Sequence, residues 1–311
     1  MKRLLSLTIQ WARLLEELNM EYPRHFLDLD RFNKKTLRKI LSMGVYFKNT
    51  PLSKLTRKPL ANKTVAMLFE KPSTRTRVSF EVGIHQLGGN AIILDDSMTQ
   101  LGRRETIADV ARVLSRYVDG IIIRTDNSEK LEEFQRNSSI PVINGLTNNS
   151  HPCQIMADIM TYEEHRGNIL DRSVAWIGDG NNVAVSWVHA ASKFSFKISI
   201  ATPPDFGLPT DVISWAKNER CALKITADPV QAISNADLVV TDTWVSMGEK
   251  IKKKNHPQKY RNKKTLLTQK VMRSVFKERN IYLLLLLFFA FFLAFFLAFF
   301  LLLAIFSSLI C

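Results

Sequence analysis

The chain has 311 residues, a length that accommodates two domains of ordinary size. Apolar residues make up 46% of it and charged residues 23%, and its three cysteines lie far apart, which excludes a disordered, collagen-like or disulfide-scaffold protein and fits a reducing compartment. The formal net charge is +14, but residues 250–279 hold twelve basic residues against one acid, so the charge forms a local basic segment and argues against a nucleic-acid-binding surface.

The first residues carry apolar side chains at helical spacing. They contain neither an uninterrupted apolar stretch nor a small-residue cleavage site, so they do not resemble a secretory signal. Glu16 and Glu17 also argue against a transit peptide. We therefore interpret residues 1–22 as an N-terminal extension.

From residue 62 onward, short apolar strands alternate with helices, which indicates parallel sheets covered by helices on both faces. The predicted strands are 64–69, 91–94, 120–124, a short one opening at 141–143, 173–177, 197–201 and 237–241. The predicted helices are 73–87, 105–117, one beginning at 129–134, 151–165, 183–193 and 230–234. The predicted fold class is α/β, with two doubly wound parallel-sheet domains at residues 23–150 and 151–280 and an aberrant apolar tail at residues 281–311.

Ligands of doubly wound folds bind beyond the carboxyl ends of the strands, and the first polar motif there is Ser73-Thr-Arg-Thr-Arg77. A helix that begins at this point presents unpaired backbone N–H groups and the positive end of its dipole. With the hydroxyl and guanidinium groups, these donors would form a phosphate cradle without a glycine-rich loop. The alternative is a well-capped helix start with solvated arginines.

The second motif, His151-Pro-Cys-Gln154, opens the helix between the two halves. A histidine can polarise a carbonyl group, and the glutamine amide can orient a neutral carbonyl or amine. The alternative is a helix-capping junction without a ligand. We interpret Cys153 as a packing residue, because the sequence places no base beside it.

Two further motifs follow strands of the second half. Residues 178–182 (Gly-Asp-Gly-Asn-Asn) lack the third glycine of a dinucleotide-binding loop, so a tight turn explains the glycines, while Asn182 could bind a small polar ligand. Residues 242–248 begin with Asp242, whose carboxylate could hold an ammonium group, and Ser246 could bind a carboxylate. The alternative for this motif is a loop start with a helix cap.

Three of these segments together resemble the aspartate/ornithine carbamoyltransferase family. They are Phe69-Glu-Lys-Pro-Ser-Thr-Arg-Thr-Arg77, His151-Pro-Cys-Gln154 and Asp242-Thr-Trp-Val-Ser-Met-Gly248, and the last resembles the ornithine branch of the family. The likeness runs from about residue 23 to residue 249, and weakly to residue 282. It implies a carbamoyl-phosphate-binding domain at residues 23–150 and an incomplete ornithine-binding domain at residues 151–280.

The resemblance also implies a reaction and a set of site residues. The δ-amine of L-ornithine would attack the carbonyl carbon of carbamoyl phosphate and give L-citrulline and phosphate, in arginine biosynthesis or a urea-cycle-type step, without a metal or cofactor. Arg124 and His151 would be the catalytic residues. Carbamoyl phosphate would be bound by Ser73, Thr74, Arg75, Thr76, Gln100, Arg124, His151 and Gln154. Ornithine would be bound by Asn182, Asp242, Ser246 and Met247. Gln100 would reach the site of a neighbouring subunit in a homotrimer.

The resemblance ends in the last part of the chain. The family's His-Cys-Leu-Pro motif, an active-site arginine and a closing helix are expected there, but residues 281–306 are 26 residues without a charge. One interpretation is a transmembrane helix with the basic segment on its cytoplasmic side. The other, which we favour because the tail displaces catalytic parts, is low-complexity sequence left by a frameshift or gene decay.

Three functional hypotheses follow. The favoured one is a cytoplasmic ornithine carbamoyltransferase with an intact carbamoyl-phosphate site and a damaged ornithine site. The second is a catalytically inactive, membrane-anchored remnant that still binds carbamoyl phosphate. The third, a nucleic-acid binder using residues 250–279, is least favoured because that segment has few aromatic residues for base stacking.

Overall fold

Two parallel sheets organise the computed structural model, which describes residues 24–50, 58–71, 73–95, 105–242 and 282–285. Residues 1–22 and 286–311, Gln100, Ser246 and Met247 lie outside the described residues. The expectations for an N-terminal extension, for those three ligand residues and for most of the apolar tail therefore remain predictions.

The first sheet has four parallel strands in the order β2-β1-β3-β4. Its strands are β1 (Thr64–Phe69), β2 (Asn90–Asp95), β3 (Gly120–Arg124) and β4 (Val142–Leu146). Its helices are α1 (Lys34–Asn49), α2 (Thr74–Gln86), α3 (Ile107–Tyr117) and α4 (Ser128–Asn137), and a short 3-10 helix (Leu29–Arg31) precedes α1. All of β3 and all but the first residue of β1 are buried, as expected for strands covered on both faces.

The second sheet has five parallel strands in the order β7-β6-β5-β8-β9. Its strands are β5 (Ser173–Ile177), β6 (Lys197–Ala201), β7 (Leu223–Thr226), β8 (Leu238–Thr241) and β9 (Tyr282–Leu285). The helices are α5 (Pro152–Arg166), α6 (Asn182–Phe194), α7 (Thr210–Asn218) and α8 (Pro229–Ile233), with a 3-10 helix at Pro204–Phe206. The predicted α/β class and the restart of the pattern after α5 are confirmed.

The apolar segment begins differently from the predicted helix. Residues 282–285 form β9, which pairs in parallel with β8, Leu238 facing Tyr282 in the register. The transmembrane-helix interpretation, the less favoured of the two, is therefore not supported at residues 282–285, which pair with the edge of β8 as a strand. The favoured interpretation of low-complexity sequence stays a prediction. Among the described helices, none is long and apolar enough to cross a membrane.

Besides β9 and the two 3-10 helices, the described elements that were not predicted are α1, α7 and β7. Helix α1 buries apolar residues at helical spacing, so the sequence carries a periodic signal for it. Helix α7 buries only Val212 and Ala216, and the two inner residues of β7 are exposed. Short elements with so little buried surface have no clear apolar period, so a sequence pattern does not distinguish them from loops.

Helix α5 joins the two halves. It contacts β4 on one side and α6 on the other, and one continuous cluster of buried apolar side chains includes Met67 of the first sheet and Trp176 of the second. Two polar contacts cross the same junction: the His151 backbone N–H donates to Ser186 Oγ (2.8 Å), and Asn182 Nδ2 donates to the Thr147 carbonyl (2.6 Å). The junction therefore fixes how the carboxyl edges of the two sheets face each other.

Candidate active site

The carboxyl ends of β1 and β3 bring the first motif next to Arg124. Phe69 and Arg124, the last residues of these strands, are partners in the parallel register. Arg124 is buried, with 7% of its surface exposed, and its Nη1 donates to Thr76 Oγ1 at 2.9 Å. Glu70 supports this edge, because it accepts hydrogen bonds from the Thr125 hydroxyl and from Lys130 Nζ.

The site around Arg124 has buried polar groups without partners. Arg124 Nε and Ser73 Oγ make no hydrogen bond, and Ser73, although it is the N-cap residue of α2, does not cap the helix with its side chain. Burial, together with the charge of Arg75, lowers the pKa of Arg124 to about 10. A buried guanidinium beside a second arginine and an uncapped helix start is an arrangement that an anion would stabilise. The alternative interpretation predicted a well-capped helix start, and the Ser73 side chain does not provide that cap. It also predicted solvated arginines, and Arg75, like Thr74, is indeed exposed in the first turn.

His151 lies at the start of α5 as a neutral imidazole. Burial and the charge of Arg124 lower its pKa to about 3, and its Nδ1 has no hydrogen-bond partner. A neutral imidazole carries one N–H donor and one acceptor, so it can donate to a carbonyl oxygen without adding a charge. Cys153 is buried with a raised pKa, which agrees with a packing role.

Gln154 is held by a residue that the sequence analysis did not identify. Its Nε2 donates to Asp158 Oδ1 at 2.8 Å, one helical turn along α5. Asp158 is fully buried, and burial, with a contribution from the charge of Asp242, raises its pKa to about 8. A lone aspartate in an otherwise apolar stretch, four residues after Gln154, was a usable signal.

We expect Asp158→Asn to change the pH dependence of stability. The folded pKa of about 8 lies above the ordinary value of 3.8, so wild-type stability is lost as pH rises from about 4 to 8, while an asparagine has no such loss. Urea unfolding should show the variant gaining at least about 1.4 kcal/mol relative to wild type between pH 5 and pH 9, the equivalent of one pKa unit. The exposed Asp211→Asn is the control, and an equal difference at both pH values for Asp158→Asn would refute the assignment.

The second half contributes Asn181, Asn182 and Asp242. Asn181 caps α6 through Oδ1, and its Nδ2 donates to Asp242 Oδ2 at 3.1 Å. Asn181 was predicted only as part of a turn, so its link to Asp242 is a new feature. Asn182 is a predicted ornithine ligand, and its Nδ2 donates a hydrogen bond to the Thr147 carbonyl.

Backbone conformation and close backbone packing explain why residues 178 and 180 of the third motif are glycines. Gly178 has φ +155°, a conformation that side chains rarely adopt. A Cβ on Gly180 would lie 2.6 Å from the Gly207 carbonyl, so the loop before α7 approaches it too closely for any side chain. These contacts account for the glycines as a tight turn, which agrees with the sequence interpretation.

The two sheets define a two-domain α/β protein, and buried donors without hydrogen-bond partners lie at the carboxyl edge of the first sheet. Residues 24–164 match the family model described as aspartate/ornithine carbamoyltransferase, carbamoyl-P binding domain, and residues 170–284 match its Asp/Orn binding domain. The chain therefore belongs to the aspartate/ornithine carbamoyltransferase family, as the resemblance indicated.

Known relatives support the same assignment. The ornithine carbamoyltransferase of Rhodopseudomonas palustris strain BisA53 is 54% identical over 233 residues, which cover 73% of this chain and 75% of that protein. That of strain CGA009 is 56% identical over 229 residues, covering 73% and 74%. Among solved structures, the Pyrococcus furiosus ornithine carbamoyltransferase has a TM-score of 0.71 at 40% identity and 76% coverage of each chain, and the Burkholderia thailandensis one a TM-score of 0.67 at 44% identity, covering 71% of this chain and 76% of that one.

Proposed function

We propose that this chain transfers the carbamoyl group of carbamoyl phosphate to the δ-amine of L-ornithine and releases L-citrulline and phosphate. The family assignment and the names of the relatives support the reaction. The observation that carries it is the buried Arg124, whose Nε lacks a partner, beside Ser73 at the start of α2. The two free cysteines in the described part of the chain support a reducing, cytoplasmic location.

In this proposal the phosphate binds at the start of α2. Ser73, Thr74, Arg75 and Thr76 supply hydroxyl, guanidinium and backbone N–H donors, and Gln100 would complete the site from a neighbouring subunit. Arg124 donates its free Nε–H to the phosphate, and the same guanidinium also reaches the carbonyl oxygen. The positive charge then stabilises the departing phosphate, which is where negative charge develops in the reaction.

The carbonyl group binds near His151 and Gln154. The neutral imidazole donates a hydrogen bond to the carbonyl oxygen, and with Arg124 it stabilises the oxyanion of the tetrahedral intermediate. Asp158 holds the Gln154 amide nitrogen, so the amide oxygen is left to accept from the carbamoyl NH2 group. Asp158 is in this sense a positioning residue.

The ornithine site would lie at the ends of β5 and β8. Asp242, oriented by Asn181, would hold an ammonium group of ornithine, and Asn182, Ser246 and Met247 are the other proposed contacts. Binding of ornithine between the halves would require Asn182 to exchange its contact with Thr147. Bound ornithine, which would contact both halves, would then replace the Asn182–Thr147 hydrogen bond as a link across the junction.

The first experiment is citrulline formation by the detergent-solubilised full-length chain, with L-aspartate as the competing acceptor. We expect citrulline and no carbamoyl-aspartate. Carbamoyl-aspartate as the product would refute the ornithine assignment. Carbamoyl-phosphate binding without turnover would instead support the second candidate, an inactive remnant, which the absence of the His-Cys-Leu-Pro motif from the sequence favours.

We also propose that the chain forms a homotrimer through the first half. The edge strand β2 and helix α2 expose apolar side chains: Ile92 is 45% exposed, Val78 51% and Val82 42%. Burying such side chains against a second copy is favourable, at roughly 25 cal/mol per Å². These residues belong to the same half as Gln100, which the family pattern directs to a neighbouring subunit.

Ile92→Asp should dissociate the trimer, because it places a charge on the buried surface. Light scattering coupled to size exclusion should change from a trimer mass to a monomer mass. The matched control is Ile225→Asp on the edge strand β7, where the isoleucine is also 45% exposed. Unchanged mass for Ile92→Asp would place the interface elsewhere.

A further inference from the structure

A cluster of metal-ligating side chains lies apart from the candidate active site. The 3-10 helix Leu29–Arg31 packs against α6, which brings Asp28 and Asp30 next to His189. The ligand atoms of the three side chains lie within 4.8 Å of one another. His189 is seven residues beyond Asn182 on α6, about 10 Å along the helix axis, so the cluster is separate from the strand-end site.

The polar atoms of this cluster are poorly satisfied. His189 is 7% exposed, and its Nδ1 makes no hydrogen bond, although it lies 3.3 Å from Asp28 Oδ2. Asp30 Oδ1 is buried and has no hydrogen-bond partner. Asp28 Oδ1 accepts from the Leu29 backbone N–H at 2.7 Å, which leaves Oδ2 facing the imidazole. One imidazole nitrogen and one oxygen from each of two carboxylates therefore lie close together, and His189 Nδ1 and Asp30 Oδ1 have no hydrogen-bond partner.

Two nearby cationic side chains form ion pairs with glutamates outside the cluster. Arg31 forms an ion pair with Glu132, and Lys193 forms one with Glu219 at 3.1 Å. The ring of Trp215 covers another side of His189, with 4.5 Å between the ring centroids. Burial and the neighbouring charge of Asp28 raise the pKa of Asp30, although His189, Arg31 and Lys193 act in the opposite direction. The Asp28 and Asp30 carboxylates in turn raise the pKa of His189 against the effect of its burial, so a metal ion at this site would have to displace a proton from the imidazole.

We propose that Asp28, Asp30 and His189 bind a divalent transition-metal ion, with Zn²⁺ as the best match. Imidazole nitrogen and carboxylate oxygen are both zinc ligands, and a site with three protein ligands keeps a fourth position for water, which these half-buried carboxylates leave accessible. The site would tie the segment before α1 to helix α6. Because that segment bridges to β4 through Phe26 and Ile143, the ion would clamp the two halves together.

The test uses ZnCl2 as the only added ligand and the full-length chain stripped with a chelator. Isothermal titration should give one site per chain that is weakened at least about tenfold by His189→Gln and by Asp30→Asn, because each removes one of three ligands. His165→Gln, on the exposed end of α5, and Asp211→Asn are the matched controls. Zinc should also raise the melting temperature of wild type more than that of either ligand variant.

A second readout does not depend on heats of binding. Co²⁺ should give a visible absorption band with wild type and with His165→Gln, and the band should be lost in His189→Gln. Circular dichroism of the metal-free variants shows whether they are folded, and Asp30→Asn tests the site if His189→Gln is not. Absence of stoichiometric zinc binding, or equal affinity in ligand and control variants, would overturn the proposal.

Discussion

Replacing Arg124 by methionine should abolish carbamoyl-phosphate binding and reduce kcat/KM by about 10³-fold or more, because the guanidinium is placed where phosphate and oxyanion charge must be stabilised. Methionine has a comparable length and no charge, so the buried site is not left as a cavity. Titration with inorganic phosphate and with carbamoyl phosphate measures the loss directly, including in a chain that does not turn over.

Stability separates this binding role from a structural one. The Arg124 guanidinium is buried and its Nε has no hydrogen-bond partner, so removing it should leave the melting temperature unchanged or raise it. If Arg124 had a structural role, its removal would instead lower the melting temperature. Arg116→Met, at an exposed position on α3, is the matched control. Full phosphate affinity in Arg124→Met would disprove the placement of the site.

Replacing His151 by asparagine should reduce kcat by roughly 10²-fold, the cost of losing one donor to a developing oxyanion. We expect little change in phosphate affinity, because the imidazole acts on the carbonyl group. The pKa of about 3 keeps the imidazole neutral at every pH where the protein would be assayed. The loss in kcat should therefore be the same at pH 6 and at pH 9.

The protonation state of His151 can be tested without turnover. Nitrogen-15 histidine spectra should show its imidazole neutral from pH 8 down to pH 5, with the signal assigned by its loss in His151→Asn. Since the folded pKa lies below the ordinary value of 6.5, this group's contribution to stability is present above pH 6.5 and is lost as pH falls toward 3. His165→Asn, on the same helix, is the control. A His151 signal that becomes protonated near pH 6.5 would contradict the buried neutral imidazole.

Much of the fold was predictable because buried parallel strands form continuous apolar stretches. The predicted bounds of β1, β3, β5 and β6 agree with the structure, and β2 and β8 differ by a residue at their ends. Strand β7 was missed because its inner residues face solvent. Residues 282–285 form a strand where one of the two interpretations of the tail placed a transmembrane helix, because an apolar composition does not distinguish a strand from a buried helix.

The candidate site was predictable in part. Arg124 lies beside Thr76 at the carboxyl edge of the first sheet, and its charge reaches His151 at the start of α5. The roles of these residues in binding stay predictions. Asp158 carried a local signal, whereas Asn181 pairs with a residue 61 positions away, a contact that no local pattern encodes. Gln100, Ser246 and Met247 remain predictions.

The amino-acid sequence alone determined the α/β class, the family and the motif residues, because these depend on local burial patterns and on turn and helix-start chemistry. Tertiary structure decided the properties that depend on distant neighbours. It removes water from Arg124, whose Nε then has no hydrogen-bond partner, and from His151, whose imidazole then stays neutral. It also brings Asp28 next to His189 across the two halves of the chain. Desolvation and charge proximity are set by packing between elements, and the order of residues along the chain does not specify them.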